Sequence, residues 1–230
     1  MNKKNLLIIA GLVLYQVAFS QKKDYLITLK TDFGTMHAVL YNETPLHKSN
    51  FIKLTNQKFY DGLLFHRIID GFMIQGGDPN SKNAASGTRL GNGGGEMERI
   101  PFEFHPNRIH KKGVLAAARD NNPEKKSSAC QFYIVQGKKL TDDEITIVSQ
   151  RNGMNYTTEQ RAQYMISGGT PRLDNNYTVF GEVIDNFSVI DSIATQARDK
   201  FDRPIKDIKM NISCRKMRKK KIIKKYSYNY

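Results

Sequence analysis

The feature that most constrains this chain is a succession of short apolar runs, most of them ended by glycine, asparagine, aspartate or proline. "DYLITLKTDFGTMHAVLY" (24–41) alternates as a two-stranded hairpin around Asp32-Phe33-Gly34. "GVLAAAR" (113–119), "QFYIVQG" (131–137), "YTVFGEV" (177–183) and "IKDIKMNISC" (205–214) read as further strands. Only two segments of the body have helical spacing. One opens with Thr44 as N-cap and Pro45 at the first helical position and carries Leu46, Phe51, Ile52 and Leu54; the other (186–197) places Val189, Ile190 and Ile193 on one side. Many short strands with so few helices argue for an antiparallel barrel or sandwich and against a doubly wound sheet. Residues 138–171 look inserted between core strands: "TDDE" (141–144) and "TTEQ" (157–160) are capping boxes, Asn152-Gly153 separates them, and Gly168-Gly169-Thr170-Pro171 ends the second. This helical hairpin is either a decorated surface loop or a lid or docking arm beside a site.

The two ends differ from the body. Residues 1–20 read as a secretory signal: Lys3 and Lys4 precede an apolar stretch from Leu6 to Phe19, and Ala18-Phe19-Ser20 is a small-x-small cleavage site before Gln21. The stretch is short for a bilayer span and is interrupted by Tyr15 and Gln16, so cleavage is favoured over an uncleaved membrane anchor. The mature protein is therefore expected outside the cytoplasm, in a periplasm or secreted. The net charge of +14 is concentrated: two charges lie in the leader and eight in residues 215–225, which leaves +4 for the body. The tail 216–230 is expected to be disordered, and it is a candidate for weak contact with an anionic membrane. Cys130 and Cys214 are read as separate thiols, not as a disulfide framework.

Several chemistries lack their residues. There is no H-E-x-x-H, C-x-x-C or G-x-S-x-G, and the five histidines are scattered, so neither a metal site nor a hydrolytic nucleophile is expected. The G-N-G-G-G run (91–95) lacks the Lys-Ser/Thr of a phosphate loop. No recognition fold surrounds the basic tail, so nucleic acid is not an expected partner. What remains is "FHRIIDGFMIQGGDP" (65–79), which sets a permanent cation, Arg67, inside an apolar run whose nearest carboxylate in sequence is Asp70. Such a charge either reaches an unseen structural partner or is aimed at a ligand.

That block, followed in order by "GTRLGNGGGE", "GVLAAAR", "QFYIV" and "LDNNYTVFGEV", resembles the cyclophilin-type peptidyl-prolyl isomerases over residues 24–215, apart from the inserted hairpin. The resemblance implies a closed eight-stranded antiparallel β-barrel capped by two α-helices, with a groove on its outer face. It implies an enzyme without cofactor or metal, acting on proline-containing polypeptides; a monomer is expected, though the sequence does not fix the oligomeric state. Arg67 and Gln75 would be catalytic, with Gln75 holding the guanidinium. Phe72, Met73, Phe132, Leu173 and Tyr177 would form the proline slot, and Ala118, Arg119 and Gln131 the adjoining groove. His66 and Arg172 are candidates for its rim, His66 being read as structural. Arg119, Arg172 and Tyr177 depart from the asparagine, tryptophan or histidine, and histidine common in the family. The alternative class is a non-catalytic module that holds proline-rich or unfolded chains. One conflict is local: a two-residue turn at Asp70-Gly71 would put Arg67 and Phe72 on one face and Met73 and Gln75 on the other. The family site needs all four together, so a longer loop or a bulge near Gly71 is predicted.

Overall fold

The structure, a computed structural model, describes residues 22–230; the expected leader lies outside the described residues. Eight strands close into an antiparallel barrel in the order β1-β2-β7-β5-β6-β4-β3-β8, so no sheet edge is left to be covered. They are β1 (Lys23–Thr31), β2 (Gly34–Leu40), β3 (Leu63–Ile69), β4 (Met73–Gly76), β5 (Val114–Ala117), β6 (Phe132–Val135), β7 (Val179–Val183) and β8 (Lys209–Arg218). Helix α1 (Pro45–Asn56) follows β2 as predicted, but Thr44 makes no side-chain cap. The Glu103 carboxylate takes that part from a distant loop, accepting from the backbone N–H groups of Leu46 and His47 at 3.0 Å each.

Phe51 of α1 enters the barrel and meets Phe132, Tyr60 and Phe180 with ring centroids 5.0–5.5 Å apart. A shorter helix, α4 (Ser188–Ala194), buries Val189, Ile190 and Ile193 in the same core. Both capping boxes of the insertion are formed, at the starts of α2 (Asp142–Asn152) and α3 (Thr158–Ile166). The two helices close a small core of their own around Ile145, Met154 and Tyr164, together with Ile109.

The tail departs from expectation. β8 runs on to Arg218, and α5 (Lys219–Tyr226) follows it. Ile222 is buried against Leu26 and Val39, and the Tyr228 hydroxyl donates to Glu182 at 2.8 Å. Like charge alone would keep this segment extended in water, but the buried Ile222, the Tyr226 and Tyr228 rings packed beside it and a barrel wall to receive them outweigh it.

Candidate active site

The opening block forms β3, its turn and β4. Ile69 pairs with Met73, Ile68 with Ile74 and Arg67 with Gln75, so the loop has three residues, Asp70-Gly71-Phe72. Gly71 sits at φ +73°, a conformation that costs glycine nothing, and the Phe72 N–H donates to the Ile69 carbonyl at 3.0 Å. The predicted longer loop is therefore present. A second irregularity falls at His66, where the register shifts between Phe65 and Arg67. Phe65 and Ile68 both point into the barrel although they are three residues apart, which a strict two-residue period forbids. The bulge absorbs the odd residue, and Arg67 faces outward in register with Gln75.

Beyond β4 the sheet continues through β6 to β5, with Gln75 opposite Tyr133 and Tyr133 opposite Ala116. Met73, Ala116, Ala118, Tyr133 and Leu173 form an outer apolar cluster, and Phe72 and Tyr177 are packed against it. In its surface lies a cavity of about 120 Å³, with Phe72, Met73, Tyr133, Leu173 and Tyr177 as apolar walls and Arg67, Gln75, Ala118 and Arg119 at its polar side. Phe132 is not there. It points inward, with its ring edge-on to Phe51 and Tyr60, and Tyr133 takes the wall instead. Strand alternation is the reason: neighbours on β6 face opposite sides.

The Arg67 side chain is 40% exposed, and its guanidinium lies 3.5 Å from the carboxylate of Asp202. Asp202 adopts φ +64°, accepts the Ile68 N–H at its carbonyl (2.9 Å), and also faces Arg198 at 3.4 Å. The expected Gln75–guanidinium hydrogen bond is not formed. The Gln75 amide donates to Gln131 Oε1 at 3.2 Å, and Gln131 in turn donates to the carbonyls of Gly91 and Gly93 at 3.0 and 2.9 Å. Those glycines line a second cavity, of about 360 Å³, that shares Gln75, Ala118 and Arg119 with the first. The glycine-rich run thus builds groove wall. An Arg99–Asp120 ion pair stands beside it, and that guanidinium with the Asn122 amide holds the Asp120 carboxyl well below the usual range.

Two arginines lie on aromatic walls: Arg172 over Phe72 at 4.3 Å and Arg119 over Tyr177 at 4.8 Å. Arg119 is held there by hydrogen bonds to the carbonyls of Asn176 and Asp120, both at 3.0 Å. His66 is not on the rim. It is buried beneath the site in the bulge, and burial, with the Arg67 charge adding to it against Asp78, lowers its pKa to about 4.

A family model described as cyclophilin type peptidyl-prolyl cis-trans isomerase/CLD matches residues 26–215. The chain belongs to the cyclophilin-type peptidyl-prolyl isomerases. A Staphylococcus aureus protein named as a peptidyl-prolyl cis-trans isomerase is 32% identical over 191 residues, covering 82% of this chain and 90% of that one. A Streptococcus pyogenes protein named as a bifunctional phosphatase/peptidyl-prolyl cis-trans isomerase is 36% identical over 185 residues, 79% of this chain; the match spans 37% of that longer protein. Among solved structures, a Cryptosporidium parvum cyclophilin-type isomerase superposes with a TM-score of 0.61 at 23% identity, covering 84% of this chain and 98% of that one. The same parasite protein in the presence of the dipeptide Ala-Pro gives 0.59 at 22% identity. At that identity the likeness speaks for the cyclophilin barrel alone.

Proposed function

We propose that this cyclophilin accelerates rotation about X-Pro bonds by binding the proline ring in the slot beside Arg67 and hydrogen-bonding the amide as it twists. The observation that carries the reading is the placement of a half-exposed guanidinium at the mouth of an apolar cavity walled by Phe72, Met73, Leu173 and Tyr177. A planar amide resists rotation by ~18–20 kcal/mol because the nitrogen lone pair is shared with the carbonyl. When the bond twists, that sharing is lost and the prolyl nitrogen becomes an acceptor. A donor aimed at this nitrogen therefore stabilises the transition state more than either ground state. The guanidinium fork can address the substrate carbonyl and the nitrogen together, and no covalent or proton-transfer step is required. Asp202 orients Arg67 in this scheme. Gln75 acts one step back, tying the strand through Gln131 to the groove wall. Substoichiometric protein should speed cis-to-trans conversion of an Ala-Pro peptide. A protein that only binds such peptides, without turnover, would move the reading to the non-catalytic module.

Arg119, Arg172 and Arg67 make the groove cationic, so acidic residues flanking proline are favoured in its substrates. Equal turnover of peptides with Glu and with Lys before proline would overturn that preference. Export is supported by Lys3, Lys4, the apolar stretch that follows them and the small residues before Gln21. Among the described residues no helix is long and apolar enough to cross a membrane. Fractionation with N-terminal sequencing should find a mature chain beginning at Gln21, outside the cytoplasm. The exposed cations of α5, among them Lys220, Lys221, Lys224 and Lys225, would then face an anionic envelope surface. Binding to vesicles rich in anionic lipid, lost on deleting 216–230, tests that contact.

A further inference from the structure

The inserted hairpin reaches the proline slot through a connected set of hydrogen bonds, buried everywhere but at Tyr156. Tyr164, at the heart of the hairpin's own core, donates its hydroxyl to Asp174 Oδ2 at 2.5 Å, and Tyr156 donates to the same oxygen at 2.7 Å. The other carboxylate oxygen, Oδ1, receives the His110 backbone N–H at 2.8 Å and contacts ring Nδ1 at 2.6 Å. His110 Nε2 lies 2.9 Å from the Tyr133 hydroxyl. The side chains of His110 and Asp174 are each only 1% exposed.

Burial raises the pKa of Tyr133, Tyr156 and Tyr164, with the Asp174 charge adding to it, so all three stay hydroxyl donors. Asp174 then has four donors for its roughly four lone-pair positions: Tyr156, Tyr164, and the backbone and ring N–H of His110. With Nδ1–H facing Asp174, Nε2 and the Tyr133 hydroxyl form the next link at 2.9 Å. The imidazole stacks near-parallel to the Tyr133 ring (6.1 Å, 14°), and on the cavity side that ring stands edge-on to Tyr177 (6.0 Å, 80°). A phenylalanine at 133 would fill the wall equally well; the hydroxyl adds a tether whose far end is in the insertion.

We propose that the hairpin is a positioning element of the isomerase site, in which Tyr164 and Tyr156 act through Asp174 and His110 to hold the Tyr133 ring as a wall of the proline slot. The inference rests on the isomerase reading above. A small misplacement of such a wall matters, because displacement of about 1 Å can cost on the order of 10²-fold in rate.

The test is a double-mutant cycle in the purified protein, with kcat and KM for an Ala-Pro peptide and thermal unfolding measured on each variant. Tyr164→Phe should lower kcat/KM about tenfold while the protein stays folded, and Tyr133→Phe should do the same. The double variant should be no slower than Tyr133→Phe alone, since the hairpin then has nothing to hold. Ile147→Ala, at an exposed position of the hairpin outside its core, should keep the wild-type rate. Tyr156→Phe, whose side chain is less buried, serves if Tyr164→Phe does not fold. Additive losses in the cycle, or hydroxyl deletions that lower stability and leave kcat/KM unchanged, would overturn the proposal. An inert wild type would instead remove the isomerase reading itself.

Discussion

His66 ties the stability of the site to pH. Its ring is buried in the bulge that turns Arg67 outward, and burial takes its pKa from the ordinary 6.5 to about 4. Between those two values the unfolded chain binds a proton that the folded chain refuses, so the group contributes its full stability above about pH 6.5. That contribution falls as pH drops through the window and is gone below about pH 4. A lowering of this size corresponds to about 3 kcal/mol, a large part of the ~5–15 kcal/mol that holds a typical domain together. Urea unfolding of wild type and His66→Asn at about pH 8, 5.5 and 4 measures it. The variant should start less stable and lose less on acidification, so that the two curves converge. His47, lowered by burial against its Glu103 hydrogen bond, contributes the same sign but is common to both proteins and cancels in the difference. Parallel curves, with the same loss in both proteins, would refute the reasoning. Isomerase activity should fall in the same window, ahead of global unfolding, because the bulge sets the direction of Arg67.

Other predictions follow from the placement of single side chains. Phe132→Leu should cost about 1–3 kcal/mol of stability by opening space among Phe51, Tyr60 and Phe65, yet leave KM for a proline peptide nearly unchanged. Leu173→Ala, on the slot wall, should raise KM severalfold with a smaller loss of stability; steady-state kinetics with chemical denaturation separates the two. Ile222→Asp should release α5 from the barrel and make residues 219–230 sensitive to protease, while wild type resists cleavage there. Asp202→Asn should weaken the orientation of Arg67 and lower kcat more than it raises KM, read from the same kinetics.

Much of this was legible because the informative residues are close in sequence. "FHRIIDGFMIQGGDP" holds Arg67, Phe72, Met73 and Gln75 within one hairpin, and the conflict between its parity and a two-residue turn already demanded a longer loop. The location of the bulge was not legible, since nothing in "FHRII" marks a break at His66 and the burial of Phe65 and Ile68 together shows only in three dimensions. Tyr133 could have been found. Gln131 lies on the groove side, and the residue two positions on shares its face, which makes Tyr133 the wall and Phe132 core. Asp202 carries no local signal: it reaches Arg67 only because the loop after α4 folds back onto β3. The tail misled by composition. Its lysines suggest a solvated end, while Ile222 and Tyr226, four residues apart on a single helical face, are the anchoring pattern.

The central claim is that Arg67 acts on the twisted amide and not on the bound substrate. Arg67→Ala and Arg67→Lys, assayed beside wild type for isomerisation and for equilibrium binding of the same Ala-Pro peptide, test it most directly. Losing one preorganised donor to a transition state typically costs about 10²–10³ in rate. The account predicts a kcat/KM reduced by that order in Arg67→Ala, little rescue by lysine, near-wild-type peptide affinity and an unchanged unfolding midpoint. An alanine variant that isomerises at the wild-type rate, or one whose whole loss is explained by weaker peptide binding, would contradict it.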